Sequence, residues 1–277
     1  MPSMLPILII LGIALALLAW PWLRRLQRER RRQRLRRQVF PTAWSALLSA
    51  QVPLYTRLPA ELREQLHGHI LILLDEKDFH AAAGFIITDA MRLIILAQAS
   101  MLLLNRPVDY FPQLHSIVLH PAVFVVNRET WDASGVHHNE RQVLSGESWE
   151  RGQLVLSWDD SLAGGMNSED GYNVVLHEFA HQLDLESGAV NGIPMLRSGK
   201  RAWTSAFSSA YADHCARIEA GADTWLDPYA ATSPAEFFAV LTEAFFELPQ
   251  PIQQQYPQVF SQLCAYYRLN PLNWTTV

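Results

Sequence analysis

Cysteine is nearly absent. The 277 residues hold only Cys215 and Cys264, too few for a disulfide framework and without C-x-x-C spacing, so a reducing compartment is expected. Basic charge is also scarce outside one segment. Nine of the 22 Lys and Arg residues, but only one of the 27 Asp and Glu residues, lie between positions 24 and 37. The remainder carries 13 basic against 26 acidic side chains. A body this acidic does not neutralise phosphate, so direct nucleic-acid binding is not expected. No internal repeat is visible, and no low-complexity linker follows residue 40.

Long apolar runs are missing too, with one exception. Met4 to Leu23 is twenty residues without a charge. As a helix it would reach ~30 Å, about one hydrocarbon thickness. Trp20 and Trp22 stand where an interfacial aromatic belt would lie, and arginines begin at Arg24. Residues 1–23 are therefore expected to be a transmembrane anchor. The basic segment 24–40 would meet anionic headgroups, and residues 41–277 would face the cytoplasm. A cleaved signal peptide would want basic residues ahead of the apolar run, and there are none.

Beyond residue 40, helical spacing is expected over 42–50, 61–74 and 88–104, the last as a buried core helix. Ser116–His120, Val123–Val126 and Gln153–Trp158 read as strands, and Asp159–Gly171 as a polar, glycine-bearing loop. Helices return near 171–185, 200–219, 235–247 and 256–267. Strands between two helical ends predict an α+β domain with a small mixed sheet.

The chemistry concentrates in His177-Glu178-Phe179-Ala180-His181. Four residues apart on a helix, the two imidazoles share a face and can reach one Zn2+ ion. Glu178 is rotated about 100° from His177, off the metal but beside a zinc-bound water whose proton it could take during attack on a peptide carbonyl. Chance placement of these residue types would give roughly 0.02 such matches in a chain of this length. Asn173, His177, His181 and Asp184 fall on one polar stripe, while Val175, Phe179 and Leu183 face the opposite way. A catalytic zinc takes a third protein ligand. No H-x-x-G-x-x-H pattern follows His181, so that ligand must come from further along. Glu236 and Glu243 share a face of the segment 233–247, and spacing alone does not choose between them. Ser233-Pro234-Ala235-Glu236 is also a capping box, which would explain Glu236 without zinc.

Three stretches, LVLSWDDSLAGG, DGYNVVLHEFAHQLD and YAATSPAEFFAVLTEAFF, together resemble the Mlc titration factor A family of zinc metallopeptidases across roughly residues 60–270. The resemblance implies a zincin-like, gluzincin-type domain that binds one Zn2+ through His177, His181 and Glu236. It implies Glu178 as catalytic acid and base, and Tyr229 as donor to the tetrahedral intermediate. It also implies a peptide or protein substrate, with aminopeptidase-type cleavage among the family's activities. Leu154–Trp158 is then either the sheet edge that pairs with substrate or an ordinary core strand. A further implied partner is a transcriptional repressor of sugar uptake, Mlc. The alternative expectation is a non-catalytic, repressor-titrating protein with a structural or vestigial zinc site.

Overall fold

In a computed structural model, residues 5–82, 84–107, 109–131, 137–144, 146–149 and 152–274 are described, the side chains of 5–14, 16 and 124–151 excepted. The chain divides into two units, Met1–Val39 and Phe40–Val277. In the first, helix α1 (Leu5–Arg36) carries Pro21 within it, and the Arg24 guanidinium lies 4.7 Å over the Trp20 ring. Residues 1–4 of the expected anchor over residues 1–23 lie outside the described residues, as do the side chains of 5–14 and 16. Among those described, no helix is long and apolar enough to cross a membrane.

The second unit opens with α2 (Thr42–Gln51), α3 (Pro53–Arg57) and α4 (Ala60–Glu76). A short strand β1 (Asp78–Ala81) leads to α5 (Asp89–Met101). Thr88 caps α5 by accepting from the Met91 N–H at 3.3 Å. Every residue from Leu93 to Met101 is buried, as a core helix should be. Strands β2 (Ser116–His120), β3 (Phe124–Trp131), β4 (His137–Leu144), β5 (Gly146–Trp149) and β6 (Gln153–Ser157) follow. Then come α6 (Trp158–Met166), α7 (Val174–Leu185), α8 (Lys200–Glu219), α9 (Pro234–Glu247), α10 (Pro249–Gln255) and α11 (Pro257–Tyr267).

The main sheet runs β1-β2-β6-β5. The first three strands are parallel, and β5 is antiparallel to β6 with Gly146 opposite Leu156. β3 and β4 form a separate antiparallel pair. The domain is mainly helical with this small mixed sheet, an α+β architecture.

One open alternative is decided and one expectation is corrected. Of the two readings of Leu154–Trp158, the structure supports the core strand: β6 is flanked on both sides, and Leu154, Val155 and Leu156 are all buried. Continuous burial along a strand is what an interior position demands. β5 takes the edge instead. The segment expected as loop 159–171 is helical through Met166. Ser157 caps α6 by accepting from the Asp160 N–H at 3.3 Å, and Asp159 and Asp160 sit in its positive first turn. Its glycines serve packing. A Cβ on Gly164 would stand 3.0 Å from the Asn173 Cα, and one on Gly165 would stand 2.8 Å from the Gln98 amide nitrogen.

Candidate metal centre

Helix α7 packs against α5, α6, α9 and β5. Val175, Phe179 and Leu183 bury its apolar face. Asn173 starts it: its side-chain oxygen accepts from the Leu176 N–H at 3.0 Å. The opposite stripe meets the first turn of α9. There Ser233 accepts from the Glu236 N–H at 3.2 Å, and Pro234 occupies the first helical position. The capping reading thus accounts for the Glu236 backbone. Its side chain does something else.

The Glu236 Oε2 atom lies 2.9 Å from His177 Nε2 and 3.2 Å from His181 Nε2, and the two nitrogens are 3.2 Å apart. Ligands at ~2.0–2.1 Å from a tetrahedral zinc are separated by about 3.3 Å. Three atoms of the right chemistry therefore already form one face of such a tetrahedron, and this donor set can hold a divalent metal. The side chains of His177, His181 and Glu236 retain 14, 10 and 20% exposure, so the fourth direction is not sealed.

Glu243, the other carboxylate that spacing left open, is placed behind the first histidine. Its Oε1 is 2.8 Å from His177 Nδ1, and its Oε2 accepts from the Asn173 N–H. An acceptor on Nδ1 fixes the tautomer that leaves the Nε2 lone pair for a metal. The charges agree. Burial alone would lower the His177 pKa, but Glu243 and Glu236 outweigh it and raise it well above the ordinary value. Burial would raise Glu236, yet hydrogen bonds and charge from both histidines hold it far below the usual carboxylate range. A metal ion would take over the positive charge that a proton otherwise supplies.

Glu178 is buried, and its Oε2 has no hydrogen-bond partner among the described residues. Burial pushes its carboxyl upward against the pull of both histidines. Tyr229 sits in a 3-10 turn (Pro228–Ala231) that packs against α9. Its N–H donates to Asp227 at 2.8 Å, and its ring centroid is 6.0 Å from that of His177. All five residues singled out in the sequence thus converge.

Other members were not given roles by sequence. Asn173 also donates from Nδ2 to Gly164 O and to Glu247 Oε1, each at 3.1 Å. Its place just before an apolar helix is an N-cap signal; its grip on two glutamates has none. Asp184 accepts from the Gly192 N–H at 2.6 Å. Gly192 has φ +79° and lies against Pro234 O with no room for a side chain. That contact joins the segment after α7 to the start of α9.

Two histidines one turn apart on one helix, with a carboxylate from a second, give this α+β protein a cluster that could hold a metal ion. Residues 26–268 match the family described as glucose-regulated metallo-peptidase M90, and the chain belongs to that family. It is 39% identical over 272 residues to "Uncharacterized protein slr2042" of Synechocystis sp., covering 97% of this chain and 99% of that one. It is 32% identical to "Mlc titration factor A" of Yersinia enterocolitica, over 80% of this chain and 84% of the relative. The Escherichia fergusonii protein of the same name is 30% identical, over 92% and 93%.

Proposed function

We propose that the chain is a zinc-dependent peptidase acting through this centre. The observation that carries the reading is the triangle of Nε2, Nε2 and Oε2 atoms at 2.9–3.2 Å beside a buried, unpartnered Glu178 carboxylate. A structural site needs no acid or base there. Two imidazoles and one carboxylate suit zinc. When bound, zinc supplies Lewis acidity, which acidifies water and polarises a peptide carbonyl. Glu178 takes the proton of the attacking water and hands it to the leaving amine; an upward-shifted carboxyl suits both halves of that exchange. The Tyr229 phenol donates to the developing oxyanion. β5 lies against α7 and, among the described residues, is hydrogen-bonded on one side only, to β6. Its outer edge offers an extended peptide main-chain hydrogen bonds.

The name shared by the relatives favours a second activity, titration of an Mlc-like repressor. The apolar run and arginines of residues 4–37 further support tethering to the inner membrane with the metal centre on the cytoplasmic side. Glu178→Gln tests the core of the reading. Zinc content should stay unchanged while peptide hydrolysis falls by about 10²–10⁴-fold. Undiminished hydrolysis would sink the mechanism. Undiminished repressor binding by the same variant, with no hydrolysis in the wild type either, would make the chain a binding protein.

A further inference from the structure

A cavity of about 310 Å³ lies at the C-terminal end of α7, and no residue of the metal centre lines it. Its charged lining comes from four separate places: Arg106 after α5, Glu186 capping α7, Arg197 in the connection to α8, and Arg268 just past α11. Tyr266, partly exposed, adds aromatic surface, and the buried Trp203 backs the wall. Arg106 is held in place. It donates to Leu102 O at 3.1 Å and to the Tyr266 hydroxyl at 2.9 Å, with its guanidinium 4.1 Å over that ring. Arg197 and Arg268 have no ion-pair partner among the described residues. The Glu186 carboxylate, half-buried, has neither an ion pair nor a hydrogen bond among them, and burial pushes its carboxyl upward.

Charges of both signs thus face one cavity; the Arg106 charge bears on Glu186 without a direct ion pair between them. The Glu186 carboxylate, half-desolvated and without a hydrogen bond among the described residues, is the costly member of the set, whereas Arg197 and Arg268 are exposed. A phosphate would fit the arginines but be repelled by Glu186. A simple cation would fit Glu186 but meet three guanidinium groups. A molecule carrying both signs satisfies all four. The volume is at the small end of the range for small-molecule sites, ~300–1,000 Å³.

We propose that this cavity binds a free α-amino acid, its carboxylate against Arg106, Arg197 and Arg268, its ammonium against Glu186, and its side chain beside Tyr266. The site is independent of the peptidase reading, although an amino acid is also what a peptidase releases. The connection that carries Arg197 also carries Gly192, which touches both Asp184 and Pro234. An occupant would therefore rest on the segment that joins the two metal-bearing helices.

Titration calorimetry on the full chain tests this, with chelator present and absent, so that binding at the metal centre is separated out. L-phenylalanine should bind in both conditions. N-acetyl-L-phenylalanine, without the ammonium, and L-phenylalaninamide, without the carboxylate, should each bind about tenfold more weakly or worse. Glu186→Gln should weaken L-phenylalanine but leave the N-acetyl compound unchanged. Arg197→Ala, an exposed position that leaves packing intact, should weaken both carboxylates. No binding of the amino acid, equal binding of all three probes, tighter binding of inorganic phosphate, or binding that chelator abolishes would each overturn the assignment.

Discussion

His177 and His181 offer the same atom to the same carboxylate from adjacent turns of one helix, yet the rear of each ring has a different environment. Behind His177, Glu243 accepts at 2.8 Å and is itself held by the Asn173 N–H. Behind His181, Nδ1 is buried with no hydrogen-bond partner among the described residues. Asp184 lies close enough for the His181 charge to bear on its carboxyl. Its carboxylate is engaged instead by the Gly192 N–H and the neighbouring backbone of Asn191 and Ile193. A motif spelled as a symmetric pair is thus built as one histidine braced from behind and one without such a brace among the described residues. The brace comes from α9, the helix that also carries Glu236.

The largest expected effect erases the comparison. Glu236→Ala removes the atom both rings share, and zinc affinity should fall beyond the ~10–100-fold typical of changes to groups behind the ligands. Equilibrium dialysis of the variant with full zinc occupancy would instead point to another donor. Next, Glu243→Gln should weaken zinc by about 10–100-fold, and Asp184→Asn by less. The reverse order in competitive chelator titrations would show His181 to be the braced ligand.

The last expected effect is on stability rather than metal affinity and concerns Glu247, at the far end of the same chain of contacts. Burial, aided by the Glu243 charge, pushes its carboxyl up to about 9, against 4.5 for an ordinary glutamate. The folded state therefore keeps a proton that the unfolded chain releases. This contribution is full below about pH 4.5 and is lost as pH rises toward 9, by at most ~1.4 kcal/mol per pH unit. Glu247→Gln has no proton to lose. Urea unfolding of the zinc-free protein should show a flatter decline between about pH 6 and pH 8 for the variant than for the wild type. Parallel pH curves would mean that Glu247 ionises without cost.

The helices of the centre were legible in the sequence because their apolar and polar stripes are long and regular. The 200–219 helix has the expected bounds, and α7 and α9 differ from expectation by only a few residues. Glu236 and Glu243 could not be separated by spacing, since seven residues on a helix return to the same face. What separates them is the offset between two packed helices, which no local pattern encodes. α6 was hidden because glycines and aspartates read as loop, whereas here the aspartates open a helix and the glycines admit its neighbours. Edge and core readings of Leu154–Trp158 could not be separated by sequence because β5 precedes β6 in the chain yet lies outside it in the sheet. The lining of the cavity comes from residues 106, 186, 197 and 268, segments too far apart for any sequence signal.

Glu236 stands in the opening turn of its helix, where backbone N–H groups lack partners within the coil and ends tend to fray. The nearer histidine lies 55 positions earlier. A cation gripped by both would hold shut the whole stretch between them, α8 included. Loading the site would then be a way of finishing the fold as much as of arming it.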